Sequence, residues 1–111
     1  LSRFYMNKKF ILRKNEEIQE VIKKSKKVIN KYFVVYYAKN DKENNRYCIS
    51  VSKKIGKAHT RNLYKRRIKD IISKNNFNNS TDYVIILRTA TLDISYDLMK
   101  ESLISLLGGA I

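Results

Sequence analysis

Between Ser50 and Lys69 the chain runs Ser-Val-Ser-Lys-Lys-Ile-Gly-Lys-Ala-His-Thr-Arg-Asn-Leu-Tyr-Lys-Arg-Arg-Ile-Lys. An alternating strand leads into a Lys-Lys pair, an isolated glycine turns the chain, and a strongly cationic helix follows. From Lys53 to Lys69 there are eight Lys or Arg and no Asp or Glu. At about 100° per residue, Arg61, Asn62, Lys65, Arg66 and Lys69 fall within an arc of about 140°. Tyr64, Ile68, Ile71 and Ile72 occupy a neighbouring arc of about 100°. One side of this helix therefore suits packing on a sheet, while the other carries a cationic ridge. A helix that is simply solvated mixes the signs of its charges and gains i,i+4 pairs. This one places like charges at that spacing, Arg61 with Lys65 and Lys65 with Lys69, an arrangement that a polyanion relieves.

The whole chain repeats that bias. Twenty-four basic residues stand against ten acidic ones, a net charge of +14 over 111 residues. A/T-rich codons favour Lys, Asn, Ile and Tyr, but they favour Glu as well, so they do not account for the sign. The imbalance predicts an anionic partner, nucleic acid first and a membrane surface second. The length fits one domain, residues 1 to 111, with a single modest core. One cysteine, Cys48, excludes an internal disulfide and a multi-cysteine zinc site within the chain. It sits in a strand-like run and reads as a small buried hydrophobe. The longest apolar run, Tyr32 to Ala38, is seven residues, too short to span a bilayer. With no signal-peptide pattern at the N-terminus, a cytoplasmic protein is expected.

In chain order, residues 1 to 13 form a basic arm expected to be partly ordered, with Phe4, Tyr5, Phe10 and Ile11 as anchors. Asn15 caps a helix to about Lys24, with Glu16 and Glu17 complementing its dipole. Lys23-Lys24-Ser25-Lys26-Lys27 is a second basic cluster, either a solvated helix terminus or a binding patch. A short strand is admitted near Val28 and Ile29. Lys31 to Lys39 reads as a strand with both faces apolar, hence covered at least in part on each. Asn40 to Asn45 reads as a polar hairpin loop returning into a strand from Arg46 to Ser52. The cationic helix spans Ala58 to Lys74, and a strand spans Asp82 to Arg88. A last helix, capped by Ser95 or Asp93, runs to Leu107 with Leu98, Leu103, Ile104, Leu106 and Leu107 as its core stripe. Gly108-Gly109 is expected to stop it. The order predicts an α+β sandwich, helices packed on one mixed sheet.

The stretch Ser-Val-Ser-Lys-Lys-x-Gly-x-Ala-x-x-Arg-Asn-x-x-Lys-Arg, from Ser50 to Arg66, closely resembles the signature of the bacterial ribonuclease P protein family. The motif is long and rigidly spaced, and the resemblance in layout covers nearly the whole chain. Where the family continues with an Arg and an acid, this chain has Lys69 and Asp70; lysine keeps the charge but lacks the planar fork of arginine. The resemblance implies an αβββαβα fold with a left-handed βαβ crossover, like the second domain of a small-subunit ribosomal protein. The general handedness rule alone gives the opposite sense. It also implies a subunit that binds a catalytic RNA and the 5′ leader of precursor tRNA, while the RNA holds Mg²⁺ and cleaves the leader. By this resemblance Lys53, Lys54, Lys57, Arg61, Asn62, Lys65, Arg66 and Lys69 bind RNA. Ile18, Ile22 and Tyr36 fall at positions of the leader-binding cleft, where the family often has Phe at the two helix positions. From the residues alone, Ile18 and Ile22 read equally as core packing, and Asn62 equally as a contact to RNA or as a tie holding the strand-helix turn.

No protein-borne catalytic set is legible. An endonuclease acting by itself needs an acid-base pair or a carboxylate cluster for metals. The single histidine, His59, lies in the cationic segment with no acid nearby in sequence, and reads as a rim or stacking residue. Asp41 with Glu43, and Asp93 with Asp97, are the acid pairs with a chance of meeting in space. No cofactor and no protein oligomer are expected. A general basic RNA-binding protein of the ribosomal kind, with no enzyme role, is the alternative, and a self-contained metal-dependent nuclease is a third reading.

Overall fold

A computed structural model describes residues 12, 15–41, 44–74, 80–92 and 94–109. Helix α1 (Asn15–Lys24) opens the order. Strands β1 (Lys26–Ile29), β2 (Phe33–Lys39) and β3 (Arg46–Ser50) follow. Helix α2 (Ala58–Lys74), strand β4 (Thr81–Leu87) and helix α3 (Tyr96–Gly109) complete it. This is the expected αβββαβα sequence. Of the expected arm, only Leu12 lies within the described residues; it is buried, and its N–H donates to the Tyr47 carbonyl on β3 at 2.8 Å.

The four strands form one mixed sheet in the order β1-β2-β4-β3. β2 pairs antiparallel with β1 and with β4, while β3 pairs parallel with β4. The expected β2–β3 hairpin is therefore corrected. Residues 40–45 connect two strands that are not neighbours, because β4 inserts between them. The reason is burial. Of the seven residues of β4, Thr81-Asp82-Tyr83-Val84-Ile85-Ile86-Leu87, only Ile86 is not fully buried, so both its faces need cover and it takes a central place.

The larger core lies on one face of the sheet. Phe33, Val35, Tyr47, Tyr83, Ile85 and Leu87 meet Tyr64, Ile68, Ile71 and Ile72 of α2 and Met99, Leu103 and Leu107 of α3. The apolar arc assigned to α2 is thus the buried one. In α3 the stripe differs from the expected one. Leu98 is exposed and Met99 is fully buried in its place, since the helix starts one turn before its core contacts and Met99, Leu103 and Leu107 follow at i,i+4. Ser95, rather than Asp93, caps it: the Leu98 N–H donates to Ser95 Oγ at 3.1 Å. The helix also continues through Gly108 and Gly109 instead of stopping before them.

The opposite face carries a smaller cluster in which Leu12, Val21 of α1 and Val84 are buried, with Ile18, Tyr36, Ala38, Cys48 and Ile86 packed around them. Cys48 is half-buried rather than fully buried. Two sets of polar contacts tie the layers together. Arg46 donates to both carboxylate oxygens of Asp82, at 2.9 and 2.7 Å, and pairs with Glu17 of α1. Tyr96 of α3 donates to Asp70 Oδ2 of α2 at 2.6 Å, and Lys74 Nζ lies 3.1 Å from the same oxygen.

Candidate RNA interface

The motif residues enter through a tight backbone turn. Lys53–Ile55 form a short 3-10 turn that buries Ile55 against the core. Gly56 follows at φ 151° and ψ −166°, a region essentially reserved for glycine. The chain then starts α2, whose Arg61 N–H donates to the Lys57 carbonyl at 3.0 Å. The buried anchor Ile55 and the fixed turn set the direction in which Lys53, Lys54 and Lys57 project; all three are exposed.

Along α2, Asn62 and Arg66 are exposed, and Arg61, Lys65 and Lys69 are half-buried. Their positions form one stripe about 12 Å long at 1.5 Å per residue. Among the described residues none of these cations, nor Lys53, Lys54 or Lys57, has a carboxylate within 4.0 Å. The ion pairs there are Lys24–Glu20, Arg46–Glu17, Arg46–Asp82 and Lys74–Asp70. The Nε of Arg61 is buried and meets no acceptor among the described residues. Arg67 is otherwise engaged, its guanidinium 5.7 Å from the Tyr64 ring centroid. Asn62 makes no side-chain hydrogen bond among the described residues, which removes the turn-holding role and leaves its amide facing outward. Asp70, the acid that follows the motif, is buried and clasps α2 to α3 through Tyr96; it belongs to the core side of the helix. The Tyr96 hydroxyl is pushed up to about 12 by burial and by the Asp70 carboxylate that its proton bridges.

The second part of the site is the α1 face of the sheet. Register places Lys27, Tyr36, Val84 and Cys48 in one cross-strand row, and Ile29, Val34, Ile86 and Ser50 in the next. Helix α1 seals Val84, but Tyr36, Cys48, Val34 and Ile86 remain half-buried and Ile29 and Ser50 exposed. An apolar trough therefore runs across the sheet beside α1. Of the cleft residues expected from the sequence, Ile18 and Tyr36 pack on its buried cluster, and Ile22, one turn further along α1, is half-buried. The ridge helix packs against β3, the strand that bears Cys48. Burial pushes the Cys48 thiol up, and the Lys65 ammonium opposes that shift.

An open concavity of about 510 Å³ lies along another side of α1. Its charged lining is mixed, Glu17, Glu20, Asp41 and Asp82 with Lys24, Lys39 and Arg46, and Arg46 is already paired with Glu17 and Asp82. No group of three or more His, Cys, Asp or Glu able to hold a metal ion occurs among the described residues. Glu43 and Asp93 lie outside the described residues; His59 is exposed on the first turn of α2. The sequence reading missed the Arg46–Glu17–Asp82 group entirely. Its one signal was an acid, Asp82, at the head of an otherwise apolar strand. No helix among the described residues is long and apolar enough to cross a membrane.

A mixed-sheet α+β fold whose cationic helix has no carboxylate partners among the described residues defines a class: small basic proteins suited to a polyanionic partner. Comparison with known proteins narrows this. The family model for ribonuclease P matches residues 6–110. A ribonuclease P protein component from Mycoplasma mycoides is 40% identical over 106 residues, covering 92% of this chain and 96% of the relative. One from Bacillus cereus is 42% identical over 102 residues, 89% of each. Among solved structures, a Staphylococcus aureus ribonuclease P protein mutant with defective mRNA degradation activity superposes with a TM-score of 0.87 at 34% identity, over 93% of this chain and 89% of that one. The protein from Thermotoga maritima does so at 0.81 and 31%, over 87% and 94%. The chain belongs to the ribonuclease P protein family. It is accordingly a subunit of a ribonucleoprotein endoribonuclease, acting in tRNA processing with the ribonuclease P RNA as its partner.

Proposed function

We propose that the chain acts as an electrostatic clamp with two surfaces. The α2 ridge, Arg61, Asn62, Lys65, Arg66 and Lys69 with Lys53, Lys54 and Lys57, docks on the RNA subunit. The trough bounded by Ile18, Ile22 and Tyr36 takes the single-stranded 5′ leader of precursor tRNA. The observation that carries this reading is the set of ridge cations left without protein carboxylates among the described residues, directly beside an open apolar strip of sheet. Phosphate neutralisation with counterion release supplies affinity on the ridge, and stacking and apolar contact supply it in the trough. Mg²⁺ is held by the RNA, which supplies the chemistry of hydrolysis; the protein contributes binding and lowers the Mg²⁺ requirement by screening RNA–RNA repulsion. The protein acts in the cytoplasm, and the reading requires no protein oligomer.

The test mixes the protein with a bacterial catalytic RNA and precursor tRNA at low Mg²⁺. Stimulated, correctly placed cleavage supports the reading, binding without stimulation refutes the subunit mechanism, and cleavage by the protein alone refutes the division of labour. For the trough, Tyr36→Ala weakens leader-bearing substrate by about 1–3 kcal/mol where a base stacks on the ring, and Ile22→Ala weakens it less, through lost apolar contact, with little change for mature tRNA in either case. Equal affinity of the unmodified holoenzyme for substrates with and without a leader removes the trough assignment.

A further inference from the structure

A second cationic surface lies at the other end of the trough. Lys23 and Lys24 end α1, Lys26 and Lys27 lie on β1, and Lys31 sits in the following turn; all five are exposed. β1 is an outer strand of the sheet. The only carboxylate within reach of these lysines among the described residues is Glu20, 3.9 Å from Lys24, with both side chains about 70% exposed (73% and 68%), and such a pair contributes little. Complementing the helix dipole accounts for Lys23 and Lys24. It does not account for Lys26 and Lys27, which follow the helix on a strand.

Position links this surface to the trough. Lys27 is the cross-strand partner of Tyr36, and its Nζ lies 6.0 Å from the Tyr36 ring centroid. The row Lys27, Tyr36, Val84, Cys48 crosses three strand spacings, about 14 Å. Val84 is covered by α1, while Tyr36 and Cys48 on either side of it stay half-buried, and Lys27 stands at the Tyr36 end. Beside Lys27, Ile29 is 53% exposed, an apolar contact available to a base at the same edge.

We propose that the lysine edge formed by Lys23, Lys24, Lys26, Lys27 and Lys31 binds the phosphates of single-stranded RNA that continues past the trough, so that the protein follows the upstream part of the leader across β1. This rests on the leader occupying the trough. Tyr36 and the apolar floor around it hold bases, and the lysine edge neutralises the backbone that emerges beyond Tyr36. Lysines on an outer strand also deter edge-to-edge pairing, a role that has no dependence on leader length and so separates from RNA binding by experiment.

The test uses reconstituted holoenzyme and precursor tRNAs whose leaders are lengthened stepwise. With the unaltered protein, affinity rises with leader length to a plateau. With Lys23→Gln/Lys24→Gln/Lys26→Gln/Lys27→Gln the plateau comes at a shorter leader, and the ratio of long-leader to short-leader affinity falls about tenfold. The salt slope for the long leader falls by about 0.7 for each phosphate no longer neutralised. The milder Lys27→Gln variant, on the trough face and clear of the helix end, gives the same change in smaller degree, while Lys26→Gln, which projects to the opposite face beside Tyr37, gives less. An unchanged ratio overturns the proposal, as does an equal weakening on short and long leaders, which marks a general charge effect. A flat response to leader length with the unaltered protein overturns the trough reading as well, and is visible before any variant is compared.

Discussion

Gly56 shows how a single residue governs the site. Its φ of 151° with ψ of −166° is open to glycine and strained for any other residue, and a Cβ there would lie 3.2 Å from Thr60 Cγ2. Gly56→Ala is expected to cost about 1–3 kcal/mol, read from the urea midpoint, and to weaken binding to the RNA subunit because the turn aims Lys53, Lys54 and Lys57. A variant as stable as the parent would show that the turn relaxes freely. Arg46 governs the other face. Its guanidinium, 17% exposed, holds Asp82, 8% exposed, and reaches Glu17 on α1; the paired carboxylates raise its already high pKa further. Arg46→Ala strands a buried carboxylate and is expected to destabilise by about 2–4 kcal/mol, whereas Glu17→Gln, at a more exposed pair, costs about 0.2–1 kcal/mol. Equal costs for the two would mean that Asp82 is adequately held by Asn40, whose Nδ2 donates to it at 2.7 Å. The special role of Gly56 was legible as a lone glycine between a strand and a helix. The role of Arg46 was not, because its partners Glu17 and Asp82 are remote in sequence and nothing local marks them.

Among the elements, α2 was fully legible, from Ala58 to Lys74, because its apolar and cationic arcs repeat over more than four turns. α1 was legible through its acidic first turn and basic last turn. Strand pairing was not. Successive strands are most often neighbours, so a polar loop between β2 and β3 reads as a hairpin, yet β4 separates them. Only the burial of β4 on both faces decides that, and burial is a property of the assembled sheet. The Tyr96–Asp70 contact between α3 and α2 was equally hidden, and it carries a pH signature. Tyr96 holds its proton up to about 12 in the fold, against about 10 when unfolded. Below pH 10 both states are protonated and the contribution is complete. As pH rises through the window to about 12, the unfolded chain releases the proton first and stability falls. Tyr96→Phe removes this dependence, so wild type should lose more stability than the variant between pH 10 and pH 12 in denaturant titrations. Parallel pH profiles would show that the hydroxyl is not held by Asp70.

At the scale of the whole molecule, net charge outweighs any single contact. Fourteen excess positive charges on a chain of 13.1 Å radius of gyration repel one another, and the repulsion is screened over about 10 Å at 0.1 M salt. The two cationic surfaces, the α2 ridge and the β1 lysines, are also the surfaces proposed to bind RNA. Function and fold stability are therefore linked through the same anions. A ligand that binds only the folded chain stabilises it by about 2.7 kcal/mol at one hundred times its Kd, and it does so on top of the general screening that any salt supplies. Thermal unfolding should thus shift upward with a short single-stranded RNA far more than with NaCl at the same ionic strength. The Arg61→Ala/Arg66→Ala variant separates the two effects. Neither side chain has a carboxylate partner among the described residues, so truncating them lowers self-repulsion, which offsets the packing lost with the half-buried Arg61 stem. The free variant should melt at or just above the wild-type temperature, bind the RNA subunit more weakly, and show a salt slope shallower by up to about 1.4–1.8 for two phosphates left unneutralised. Its RNA-induced shift in melting temperature should shrink while its response to NaCl persists. A variant that melts well below wild type without RNA would instead mean that these arginines hold the fold together, and that the ridge is not free to grip RNA.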